Sequence, residues 1–91
     1  MKSQKRIVKR KNLISQTLGN KTFILNPEES DFIYELNSTA SIIWTLMSNN
    51  MPLQELAKKA GEKLGISDKK AYNEVKSFIS DLNKSKLVMI K

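Results

Sequence analysis

The 91-residue chain contains no cysteine and no histidine. The first absence excludes disulfides and every thiolate metal site. The second removes the commonest general base and the commonest metal ligand. Glycine is scarce, and Gly19, Gly61 and Gly65 build no phosphate-cradling loop. No apolar run reaches bilayer-spanning length. The basic start Met1-Lys2-Ser3-Gln4-Lys5-Arg6 is followed by no hydrophobic signal region. Together these gaps predict a soluble cytoplasmic protein that is not an enzyme, without metal or cofactor and with no membrane partner. Glu28, Glu29 and Asp31 cluster beside a turn, and they read as solvated charges rather than a cation site. Ser38 and Thr39 have no evident base to activate them and read as helix-capping residues.

What is present fits one small domain. Hydrophobic residues make up 40% of the chain, which argues against disorder throughout. The net charge of +7 invites a nucleic-acid reading, but the charge is unevenly placed. Lys2, Lys5, Arg6, Lys9, Arg10 and Lys11 supply six of the 16 basic residues, with no acid among them. The other ten face nine acids, so residues 12–91 carry a net charge of only +1. Residues 1–11 therefore read as a solvated basic arm, with a short extended piece at most near Ile7-Val8. Residues 12–91 read as the folded domain.

Three strands are predicted first. Leu13–Leu18 and Thr22–Leu25 carry β-branched residues and flank the turn Gly19-Asn20-Lys21. Pro27 cannot extend a ladder, so Asn26–Ser30 reads as a second turn, followed by a third strand at Asp31–Leu36. Asn37 and Ser38 offer cap oxygens for a first helix, whose stripe is Ala40, Ile43, Trp44 and Met47. Trp44 on that stripe reads as core. Pro52 opens a second helix with Leu53, Leu56, Ala57, Ala60 and Leu64 inward and Gly65 as its cap. Gly61 inside it costs about 1 kcal/mol relative to alanine and predicts fraying or a bend. Ser67 or Asp68 caps a third helix, with Ala71, Val75, Phe78, Ile79 and Leu82 inward. Leu87–Ile90 closes the chain as an extended apolar tail. Strands before helices indicate an α+β class: a three-stranded antiparallel meander followed by three α-helices.

Helices two and three with the hairpin suggest a winged-helix DNA-binding protein as an alternative. A recognition helix reads bases chiefly with Arg, Asn or Gln. The third helix offers Lys69, Lys70, Asn73 and Lys76 among Asp68, Glu74 and Asp81, and both arginines lie in the arm. Nucleic acid is accordingly not the expected partner.

The string LNPEESDFIYELNSTASIIWTLM, residues 25–47, resembles the PqqD-like family, or RiPP recognition elements. The matching features are NPEE after a strand, a strand ending in LN, TA just beyond it, and IW-x-L in the helix. LQELAKKAGEKLGIS and VKSFISDLNKSKLV are similar to the family's second and third helices. One departure is that the glycine common after the last helix is replaced at Ser85 or Lys86. The resemblance implies a winged-helix-like, non-catalytic domain. Such a domain binds the leader of a ribosomally made precursor peptide and presents it to a modifying enzyme or leader peptidase. Relatives serve lasso-peptide proteases, radical enzymes using S-adenosylmethionine, and quinone-cofactor synthesis. The leader would add as a strand antiparallel to the third strand, in a groove bordered by the third helix.

By position, that implies a peptide site at Asp31, Phe32, Ile33, Tyr34, Glu35 and Leu36. Alternation puts Phe32, Tyr34 and Leu36 on one face, packed on the first helix, and Ile33 and Glu35 on the other. Ile33 is then the foremost strand residue to meet a leader side chain. Lys69, Tyr72 and Lys76 are the candidates on helix three, and their charge predicts an acidic leader. A monomer or weak dimer is expected.

Overall fold

The computed structural model describes residues 5–29 and 32–91. Chain order is β1 (Arg6–Lys9), β2 (Ile14–Leu18), β3 (Lys21–Leu25), β4 (Ile33–Leu36), α1 (Ser38–Leu46), β5 (Met51–Pro52), α2 (Leu53–Leu64), α3 (Asp68–Lys84) and β6 (Val88–Ile90). The expected α+β class is present, but as two antiparallel three-stranded sheets. One has the order β2-β3-β4 and the other β5-β1-β6.

The first sheet is the predicted meander. Gly19, at φ +63°, opens the two-residue turn between Leu18 and Lys21. Pairing runs Ile14 with Leu25 and on to Ile33, and Thr22 with Leu36 on the far side. In a two-residue hairpin the closing pair is hydrogen-bonded, and such pairs then alternate along the ladder. That alternation turns the N–H and C=O groups of Ile33 and Glu35 toward one open edge, and those of Ser15 and Thr17 toward the other.

The second sheet corrects the solvated-arm expectation. β1 is its central strand, pairing Ile7 with Met51 on one side and with Ile90 on the other. Ile7 is fully buried. Charge counting missed this because Arg6 and Lys9 are held by groups other than acids. The Arg6 guanidinium donates to the Asn50 backbone oxygen at 2.8 Å and to Asn50 Oδ1 at 3.0 Å. Lys9 Nζ lies 4.2 Å from the Trp44 ring centroid, a cation–π contact. Burial holds the Lys9 ammonium below its usual pKa. The charge of Arg6–Lys9 thus belongs to the folded body, not to a detached tail. Residues 1–4 of the expected arm lie outside the described residues.

The helices form where their caps direct them. Asn37 Oδ1 accepts from the Ala40 N–H at 2.9 Å, and Ser67 Oγ from the Lys70 N–H at 3.2 Å. Gly65 closes α2 in the left-handed region, at φ +69°. The fraying expected at Gly61 does not occur. An added Cβ there would lie 3.1 Å from the Ala71 Cβ, so Gly61 lets α2 and α3 approach closely. Replacing Gly61 by leucine is expected to lower stability by about 2 kcal/mol, read as an earlier urea midpoint, because the atoms it would meet, the Ala71 Cβ of α3 and the Ile66 backbone carbonyl, are not the ends of flexible side chains and cannot swing aside. Ile24, Leu36, Ile43, Trp44, Leu56, Val75 and Ile79 share one core with Ile7 and Val88. Trp44 is buried there, as its stripe predicts.

Candidate functional site

β4 is an edge strand: among the described residues it pairs with β3 alone. Leu36 anchors its end, fully packed under α1, where Ser41 Oγ donates to the Leu36 carbonyl at 3.2 Å. The opposite end carries Phe32, 86% exposed, and Ile33, 65% exposed. So much exposed apolar surface on an uncovered edge is what natural edges usually avoid.

Two recesses lie along this edge. One, of about 270 Å3, is lined by Phe32 and Tyr34 on the strand side and by Lys84, Ser85 and Lys86 at the end of α3. The other, of about 200 Å3, lies between the start of α1 and α3, lined by Ala40, Ile43, Phe78, Glu74 and Asp81. Tyr34 links the two. Burial and then the Asp81 carboxylate push its phenol above the usual tyrosine range, while a hydrogen bond to Ser85 pulls the other way. The result is a groove with one wall formed by β4, which among the described residues pairs on one side only, and one of α3 side chains. Among the described residues no cluster of carboxylates could hold a metal ion, and no helix is long and apolar enough to cross a membrane.

The family described as coenzyme PQQ synthesis protein D (PqqD) matches residues 21–88, which take in β4, the groove and all three helices. The chain belongs to the PqqD family. The fold of this PqqD-family chain is similar to a solution NMR structure of the PqqD truncation of Methylobacterium extorquens PqqCD. That structure is described as a functional, stand-alone RiPP recognition element. The likeness has a TM-score of 0.74 at 13% identity and covers 92% of this chain and 88% of that one. No curated protein sequence matches.

Within this groove of the PqqD-family chain the candidate residues from the sequence divide. Phe32 and Tyr34 line it, with Leu36 as the buried anchor. Ile33 and Glu35 lie on the other face of the sheet, where Glu35 Oε2 is 3.2 Å from Lys21 Nζ. Tyr34, which alternation placed behind Ile33 as a candidate, is thus the one facing α3. Asp31 lies outside the described residues. The helix-three candidates are elsewhere. Lys69 is exposed, Tyr72 is half-buried against the core, and Lys76 lines a separate recess with Ile7 and Ile90.

The reason is angular. At roughly 100° per residue, Ala71, Val75, Ile79 and Leu82 mark the core stripe of α3. Lys69, Tyr72 and Lys76 occupy one shoulder of that stripe. Glu74, Ser77, Phe78 and Asp81 occupy the other, the shoulder that borders β4. The sequence held one signal for the shoulder that borders β4. Phe78 is the large apolar residue that broadens the core stripe on that side.

The base of the groove is pinned by a buried side chain. Asn26 Nδ2 donates to the Lys86 carbonyl at 2.7 Å, and Asn26 Oδ1 accepts from the Glu28 N–H at 3.2 Å. Lys86 sits at φ +63°, the left-handed conformation, where the family resemblance placed a glycine. Asn26→Ala would remove both bonds of a buried amide and leave the part-buried Lys86 carbonyl without its donor, and is expected to destabilise the fold by about 1–3 kcal/mol in urea unfolding. Tyr34 gives a pH prediction. Its folded pKa is raised, so the neutral phenol's contribution to stability is complete below the unfolded value of about 10. That contribution disappears as pH rises through the higher folded value. Alkaline unfolding of the parent should therefore have a component that Tyr34→Phe lacks. Equal pH dependence of the two proteins would exclude it.

Proposed function

We propose that this chain is a non-catalytic recognition protein that binds the leader of a ribosomally made precursor peptide and presents it to a modifying enzyme. The leader adds as a strand antiparallel to β4. The observation that carries this reading is the open β4 edge, with Phe32 and Tyr34 beside α3. Backbone pairing alone is insufficient. Roughly four hydrogen bonds at about 0.5–1.5 kcal/mol each fall short of the about 8 kcal/mol of a micromolar complex. Side chains entering the two recesses supply the remainder, the usual division in strand addition.

The groove walls also set the charge pattern of the guest. Glu74 and Asp81 border the recess near Asn37, while Lys84 and Lys86, with Glu29, border the one near Phe32. An antiparallel leader runs from the Asn37 end toward the Phe32 end. It therefore carries its basic residue before, and its acidic residue after, the paired segment. This replaces the uniformly acidic leader expected from Lys69 and Lys76. Fluorescence titration with labelled leader peptides, and with the same peptides carrying the two charges exchanged, checks both points. Exchange is expected to weaken binding by about tenfold. Absence of saturable binding by any leader would remove the recognition reading itself. The duplex-binding alternative gains nothing from the geometry. Arg6 is held by Asn50, and α3 carries no arginine.

A further inference from the structure

The β2-β3-β4 sheet has a second open edge, and it differs from the first. Every residue of β2, Ile14-Ser15-Gln16-Thr17-Leu18, is exposed, and β2 pairs with β3 alone among the described residues. Ile14 and Leu18 are 57% and 58% exposed. The strand carries no charge, no proline and no glycine, so it has none of the usual features that keep an edge from pairing. Beside it, on the inner face, a recess of about 320 Å3 exposes Ile42 and Leu46 of α1. The surface flanking this edge is thus apolar on both faces of the sheet. The PqqD family match begins at residue 21, beyond β2.

We propose that two copies of this chain join through their β2 edges, antiparallel about a two-fold axis at Gln16, into one continuous sheet. The strand's own pattern names the occupant as a second copy. Read in either direction, β2 runs apolar, hydroxyl, amide, hydroxyl, apolar. Antiparallel self-pairing sets Ile14 against Leu18 of the second copy, Ser15 against Thr17, and Gln16 against Gln16. Each contact is like with like in polarity, and no charge opposes another. The backbone matches too. The outward groups are those of Ser15 and Thr17, and this register makes those two the hydrogen-bonded pair. An isologous contact uses up both edges and stops at two copies. The β4 edge remains free on each copy, so the dimer is independent of the leader reading and compatible with it. A five-residue pair covers less than the roughly 1,200 Å2 of a standard interface, so the dimer is weak and concentration-dependent.

Sedimentation of the full chain from about 1 μM to about 1 mM tests this. The expected result is a reversible rise from one chain mass to two, with no larger species. Gln16→Lys places two like charges on the axis and should weaken association by about tenfold or more. Because Gln16 is exposed, the variant should keep the parent's helical circular dichroism. Gln16→Cys should form a disulfide-linked dimer on mild oxidation. Facing Cα atoms in such a pair stand about 4.5–5.5 Å apart, within disulfide reach. The chain has no other cysteine to confuse the product. Lys58→Cys, on the exposed face of α2, is the control. A protein that stays monomeric throughout overturns the proposal. So do larger chains of copies, unchanged association of Gln16→Lys, or cross-linking of Gln16→Cys no faster than the control.

Discussion

Deleting residues 1–9 is expected to leave a chain that does not fold. The segment contains the central strand of a three-stranded sheet, so β5 and β6 both lose their partner. The pairings lost include Arg6 N–H to Lys91 O, Lys91 N–H to Arg6 O and Leu53 N–H to Lys5 O, at 2.8–2.9 Å. Each contributes about 0.5–1.5 kcal/mol. Burial of Ile7 adds about 1.5–3 kcal/mol, and the cover of Lys9 over Trp44 disappears as well. Against a total near 5–14 kcal/mol for a domain of this length, that loss is decisive. The milder Ile7→Ala should cost about 2–5 kcal/mol, a urea midpoint lower by about 2 M. Circular dichroism of the truncated chain gives the answer directly. A cooperative melt with parental helix content would restore the reading of residues 1–11 as a solvated arm.

The second large effect concerns β4. Ile33→Pro should abolish most leader binding and leave the fold intact. Alternation turns the Ile33 N–H to the open edge, so proline removes a donor meant for the guest and spares the ladder to β3. The ring also obstructs an approaching strand. At least about tenfold weaker binding is expected, from one lost hydrogen bond and the steric block. Ile33→Asp, on the outer face, should weaken binding less. Parental affinity for a leader in Ile33→Pro would show that the guest does not pair with this strand. Collapse of helical content would show that Ile33 supports the fold, against its exposure.

How far the sequence reaches can be judged at particular residues. The meander, the caps at Asn37, Ser67 and Gly65, and the core stripe of α3 were legible, because each depends on neighbours in the chain. The second sheet was not. Its strands have four, two and three residues and come from the beginning, middle and end of the sequence. Nothing local marks Met51-Pro52 as a partner for Arg6-Ile7. On α3 the periodicity gave the buried face but left two equivalent shoulders, and only the placement of β4 selects between them. Gly61 shows the same limit. Propensity predicted a weak point, where packing against Ala71 requires the missing side chain.

The adjacency of β1 and β6 has a consequence for synthesis. Residues 6–9 leave a ribosome well before residues 88–90 and must wait for them before their strand is enclosed on both sides. Closing so wide a loop is the slow kind of contact formation. During translation the early segment, cationic and without its neighbours, is open to proteases and to stray anionic surfaces. Emergence of residues 88–90, rather than completion of the helices, is the moment at which the finished domain comes into being.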